Sequence, residues 1–150
     1  MKRLKIIGLV LLVTLVGLQF FPTGANQSTT VPTSDFVNKY KVPEQVAQML
    51  HTSCYNCHSN NTDYPWYSSV QPVGWFLENH INKGKEELNF IEFGSYSGRK
   101  QQSKLTSMIS QVEDDKMPLP SYTFIHHEAR LSAENKETLI EYFKEIKESL

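Results

Sequence analysis

The chain has 150 residues, 39% apolar and 11% aromatic, with a formal net charge of -1. That length allows one domain plus a short accessory segment. Beyond Lys2, Arg3 and Lys5 no charge occurs before Asp35, and the remainder leans acidic. A weakly anionic domain without basic clusters is a poor nucleic-acid binder, so that class is excluded.

The first element is residues 1–21, MKRLKIIGLVLLVTLVGLQFF. A basic start precedes an uncharged apolar run from Ile6 to Phe21. As a helix that run spans roughly 24 Å, a little short of the roughly 30 Å hydrocarbon core of a bilayer. Positive charge ahead of an apolar run is the mark of a signal or anchor. The expectation is an inner-membrane anchor or a cleaved signal, with the rest of the chain in the cell envelope outside the cytoplasm. Residues 22–34, PTGANQSTTVPTS, read as a flexible linker.

Residues 35–150 read as one mostly α domain. Val46, Met49 and Leu50 recur at helical spacing, so a helix is expected from about Pro43 into Cys54–Cys57. Residues 60–71 have loop chemistry. A second helix fits Val73 to Asn82, with Gly84 as its terminator. Residues 90–98 read as irregular. A third helix fits Lys100 to Asp115 on the stripe Leu105, Met108, Ile109 and Val112. Residues 116–127 carry two prolines and read as loop. Ser132 is a good N-cap for a last helix whose apolar face is Leu139, Ile140, Phe143 and Ile146. No alternating strand pattern stands out.

The chemistry concentrates in Cys54-Tyr55-Asn56-Cys57-His58, which holds the chain's two cysteines. Three readings compete. A redox disulfide needs a helix start in a βαβ setting, and these cysteines fall near a helix end. Zinc needs a fourth ligand, for which His51 or His80 are the candidates. Covalent haem attachment matches the C-x-x-C-H signature. There, cysteines three apart face one way and reach one porphyrin edge. His58 then offers Nε2 to the iron while Nδ1 donates to a backbone carbonyl.

For a second axial ligand, Met117 is the first candidate. It lies in DDKMPLP, in a proline-stiffened loop after a helix. His80, on the apolar face of the second helix, is the rival. His126, His127 and His51 read as surface residues, and Met108 as core. Trp75 is a candidate indole donor to a haem propionate. Lys83, Lys85 and Arg99 are weaker ones. Tyr64, Pro65, Trp66, Tyr67 and Phe76 are candidates for packing on the porphyrin.

The stretches CYNCHSNNTDYPWYSSVQPVGWFLENHINKGKEELNF and DDKMPLPSYTFIHHEARLS resemble the bacterial haem-binding domain proteins, small exported cytochrome c-like chains. The resemblance covers about Val42 to Tyr142. It implies one haem c (iron) per chain on Cys54, Cys57 and His58, a cytochrome c-like helical fold and export. It maps the family's M-P motif onto Met117-Pro118. The resulting expectation is a membrane-tethered electron carrier, not an enzyme, whose partners are exported or membrane redox proteins. The alternatives are a haem-binding accessory module, or a sensor or peroxidase with an open sixth position.

Overall fold

A computed structural model describes residues 1–28 and 30–150. Position 29 of the expected linker lies outside the described residues. The chain is mostly helical, and among the described residues the sole β pairing is an isolated bridge between Gln27 and Asn61.

Helix α1 spans Lys2–Leu18, 17 residues. This corrects the anchor and the location inferred from it. No described helix is long and apolar enough to cross a membrane. The reason lies at both ends of α1. Lys2, Arg3 and Lys5 occupy its first turns, and Gln19 to Phe21 fall outside the helix. The apolar part within the helix is therefore Ile6 to Leu18, about 20 Å at 1.5 Å per residue. The inner-membrane placement rested on that segment and is withdrawn.

The segment after α1 touches the domain at defined points. Gln19 and Gln71 exchange two hydrogen bonds. The Asn26 side chain donates to Ser59 O at 2.9 Å and Thr62 Oγ1 at 2.8 Å. Lys85 donates to Asn26 Oδ1.

Helix α2, Phe36–Tyr40, is short, and its start is fixed by Asp35. Asp35 is 2% exposed, and its Oδ1 accepts from Val37 N at 3.0 Å and Asn38 N at 3.2 Å. Its other oxygen, Oδ2, accepts from the Tyr55 hydroxyl at 2.9 Å. One buried carboxylate thus caps a helix and grips the centre of the C-x-x-C-H motif.

Helix α3, Glu44–Leu50, runs into a π-helical turn at His51–Tyr55 and then into α4, Asn56–His58. The expected helix into the cysteines is present. Its π turn carries no residue signature. Such wide turns recur at functional sites because they re-aim the side chains they hold. Helix α5 spans Val73–Glu87, longer than expected. A 3₁₀ segment at Phe90–Ser95 replaces the irregular stretch. Helix α6, Gly98–Glu113, starts at a Ser97 cap. Helix α7, Pro120–Ile125, occupies what reads as loop, because Pro120 sits at a first-turn position where its fixed φ favours helix. Helix α8, Ala133–Glu148, begins at Ser132, whose side chain accepts from Asn135 N at 3.1 Å.

The core forms where α6 packs on α8 and α2 packs on the 3₁₀ segment. Phe36 is at its centre, fully buried, with ring centroids 5.0 Å from Phe93, 5.6 Å from Phe90 and 6.2 Å from Phe143. These are edge contacts, the favoured aromatic geometry. Tyr55 stacks on Phe90 at 4.9 Å, so the core continues into the motif.

Asp35→Ala removes the α2 cap and strands the Tyr55 hydroxyl. We predict a loss of about 3 kcal/mol in denaturant unfolding. Tyr55→Phe leaves the cap intact and should cost about 1 kcal/mol. Equal effects from the two variants would contradict the double role of Asp35.

Candidate haem site

The motif's two central residues face away from the cysteines and lock the turn in place. Tyr55 points into the core, as above. Asn56 Nδ2 donates to the Tyr122 hydroxyl on α7 at 3.0 Å, and Asn56 Oδ1 accepts from Asp63 N at 3.0 Å. The Asn56 carbonyl also accepts from Thr62 Oγ1 at 2.8 Å. Asn56 therefore ties the cysteine turn both to the following loop and to the helix that follows Met117.

Cys54, Cys57 and His58 face a cleft with two lobes. One, about 370 Å³, is lined chiefly by apolar groups including Phe90, Met108, Val112 and Phe143. The other, about 210 Å³, includes Cys57, His80, Leu119 and Tyr122. Cys54, His58, Met117 and Pro118 border both lobes. Together they fall in the usual range for a ligand site, about 300–1,000 Å³.

His58 is held from behind by α5. Its Nδ1 lies 2.9 Å from the Gly84 carbonyl and 3.0 Å from the Leu88 carbonyl. Carbonyl oxygens only accept, so the proton belongs on Nδ1 and the lone pair on Nε2. Burial lowers the His58 pKa below its ordinary value of 6.5, against the opposing pull of the Leu88 and Gly84 carbonyls. The imidazole is thus neutral and supplies a donor nitrogen.

Gly84 has a role other than the expected helix end. A Cβ built there would lie 2.7 Å from the Cys57 carbonyl oxygen. The missing side chain lets α5 approach the cysteine turn closely enough for its carbonyl to meet His58.

Met117 is fixed by the end of α6. Asp115 takes a left-handed backbone, φ 56°, which reverses the chain. Lys116 N and Met117 N then both donate to the Gln111 carbonyl, at 2.9 and 3.0 Å. Lys136 on α8 pairs with Asp115 and holds the turn from outside. Met117 thus reaches the cleft from a different element than His58.

The thiols are free and poorly ionised. Burial, with the neighbouring Cys57 charge, pushes Cys54 up to about 12. Burial also raises Cys57. No described cluster of three or more His, Cys, Asp or Glu side chains is arranged to hold a metal ion, so zinc lacks a donor set. The residues do fit a haem: two thiols beside a neutral imidazole, a thioether on the same cleft, and a largely apolar lining.

Of the other candidates, His80 and Lys83 line the smaller lobe. The Trp75 indole donates to the Phe21 carbonyl at 2.8 Å, and Trp75 lines neither lobe. Trp66 and Phe76 are 81% and 65% exposed, and none of Tyr64, Pro65, Trp66, Tyr67 or Phe76 lines the cleft. Phe90, Phe143 and Tyr122 supply the lining rings instead. Phe143 belongs to an expected apolar face, whereas Phe90 and Tyr122 sit in stretches that read as irregular or loop. His80 borders the smaller lobe with its Nδ1 2.9 Å from the Phe76 carbonyl. His51 is exposed. His126, expected at the surface, is half-buried: Nε2 is 2.6 Å from the Tyr67 hydroxyl, and the ring stacks on Tyr122.

Gly84→Ala gains about 1 kcal/mol of helix propensity and loses about 1–3 kcal/mol to overpacking. A net destabilisation of about 1 kcal/mol is expected by denaturant unfolding. Gly98→Ala, where a Cβ meets nothing within 4 Å, is the control and should be neutral or stabilising. Equal stability of the two variants would contradict the close approach at Cys57.

The His58 shift has a sign that unfolding can read. Its folded pKa lies below the unfolded value, so the unfolded chain binds the proton more readily. The contribution of His58 is full above pH 6.5 and is lost as pH falls from there through the lower folded value. Haem-free protein should weaken over that window, and His58→Asn should remove that part of the slope. Identical slopes in both proteins would contradict a buried neutral imidazole.

No curated protein and no solved structure matches the chain. A family model does, the haem-binding domain, over residues 13–145. That span includes the cysteine turn, α5, α6 and the Met117 loop, which are the elements that build the cleft. By that match the chain belongs to the haem-binding domain family.

Proposed function

We propose that the chain holds one haem c through Cys54 and Cys57, ligates its iron with His58 and Met117, and carries single electrons without turning over a substrate. The observation that carries this reading is the fixed tautomer of His58. The carbonyls of Gly84 on α5 and of Leu88 just past its end hold its Nδ1 proton, at 2.9 and 3.0 Å, and leave Nε2 as the donor on a cleft that Met117 also borders.

The chain's residues have distinct tasks. Cys54 and Cys57 would each hold the porphyrin through a thioether, the thiol adding its sulfur to one vinyl carbon and its hydrogen to the other, with no leaving group. Raised thiol pKa values in the folded chain favour attachment before the cleft closes, since the thiolate is the nucleophile. Gly84 and Leu88 orient His58 and strengthen it as a donor. Gln111 and Asp115 hold Met117 in place. Phe90, Val112 and Phe143 exclude water, and with a thioether ligand this raises the reduction potential. Bound there, the iron supplies a one-electron couple.

Met117 fits the second axial position better than His80. His80 shares α5 with Gly84, whose carbonyl holds His58, whereas a second ligand would be better supplied from a separate wall of the cleft. Met117 comes from the turn after α6. Redox proteins are the natural partners, and the lobe with Cys57, Leu119 and Tyr122 offers them an apolar approach.

The test is the absorption spectrum of the haem-loaded full chain. The wild type should show a low-spin spectrum with the weak red-end band of methionine–iron ligation. Met117→Ala should abolish that band and retain the haem, whereas His80→Ala should leave it unchanged. A band that survives Met117→Ala, or a wild type that is high-spin and shifts on adding cyanide, would contradict this reading.

A further inference from the structure

The two ends of the cleft differ in chemistry. The smaller lobe holds Cys57, Leu119 and Tyr122, with His80 and Lys83 from α5 beside them. The larger lobe lacks Cys57; besides Ser53 and Glu87, which both lobes share, its polar edge is Lys104, Ser107 and Gln111. These three sit at positions i, i+3 and i+7 of α6 and so share one face of that helix. They run beside the apolar stripe Met108 and Val112, which lines the same lobe.

Lys104 is the unusual member. Its side chain is 23% exposed, beside an otherwise largely apolar cavity. Among the described residues its one ion-pair partner is Glu87, at 3.5 Å and 83% exposed. A pair that open to water contributes little, so Lys104 gives up little in exchanging it for a better partner. Ser107, which is exposed, and Gln111, which is half-buried, line the same lobe and make no side-chain hydrogen bond among the described residues, so both have donors available to a ligand. A cation and two neutral donors on one strip form a receptor for carboxylates.

We infer that Lys104, with Ser107 and Gln111, receives the carboxylates of the porphyrin. This rests on the haem reading and deepens it. Cys54 and Cys57 take the vinyl edge of the macrocycle, and its propionates project from the opposite edge. The lobe without Cys57 is where that opposite edge falls. On binding, Lys104 exchanges the exposed Glu87 for a propionate in a drier setting, where a charge-assisted hydrogen bond is stronger. The strip therefore selects the direction in which the porphyrin enters and brings its vinyl groups to the thiols.

The test uses the reduced, haem-free full chain, titrated with iron protoporphyrin IX and separately with its dimethyl ester, which lacks the carboxylate charges. Wild type should bind the free acid about tenfold or more tightly than the ester. Lys104→Met should bring that ratio close to one while binding the ester as the wild type does. Lys104→Arg should retain the preference. Equal binding of both porphyrins by the wild type, or a preference that survives Lys104→Met, would overturn the inference and leave the haem site standing. Binding of neither porphyrin by the wild type would overturn the haem reading and the inference with it.

Discussion

The structure turns on a single hydrogen-bonding arrangement, the His58 Nδ1 proton shared between the Gly84 and Leu88 carbonyls at the end of α5. It joins the cysteine turn to α5 and settles which imidazole nitrogen faces the cleft. Much of the nearby packing serves it. Gly84 lacks a side chain where α5 meets the Cys57 carbonyl. Tyr55 and Asp35 anchor the turn from the core, and Asn56 anchors it to Tyr122. An imidazole held this way loses little rotational freedom when its other nitrogen takes a ligand.

Much of the site was legible in the sequence because its chemistry is local. Five consecutive residues, Cys54 to His58, carry both thiols and the imidazole, and one helical turn presents them together. Met117 is 59 residues later but is marked by its Met-Pro pair after a periodic helix. The expected Nδ1 contact to a backbone carbonyl is present, doubled. The Ser132 cap and the apolar stripes of α6 and α8 were equally readable, since each depends on near neighbours alone.

What escaped the sequence depends on contacts between distant segments. Phe90 and Tyr122 line the cleft, yet neither lies in a stretch with a clear period. Lys104 looks like any surface lysine of an amphipathic helix until the fold sets it at the edge of the larger lobe. Trp75 and the Tyr64–Tyr67 aromatics drew notice by composition, but none of them lines the cleft. The π turn at His51–Tyr55 has no compositional mark. The N-terminal run misled for a measurable reason: hydropathy counts residues through Phe21, whereas the helix stops at Leu18. The cofactor reading therefore draws no support from location and rests on the family match and the His58 geometry.

The most direct test of the account is the intact mass of the chain, made alongside a haem-attachment system and weighed after full denaturation. The account predicts one haem's mass above that of the polypeptide, lost when Cys54 and Cys57 are both replaced by alanine. A denatured mass equal to the bare chain, or lower by two hydrogens as a Cys54–Cys57 disulfide requires, would contradict it.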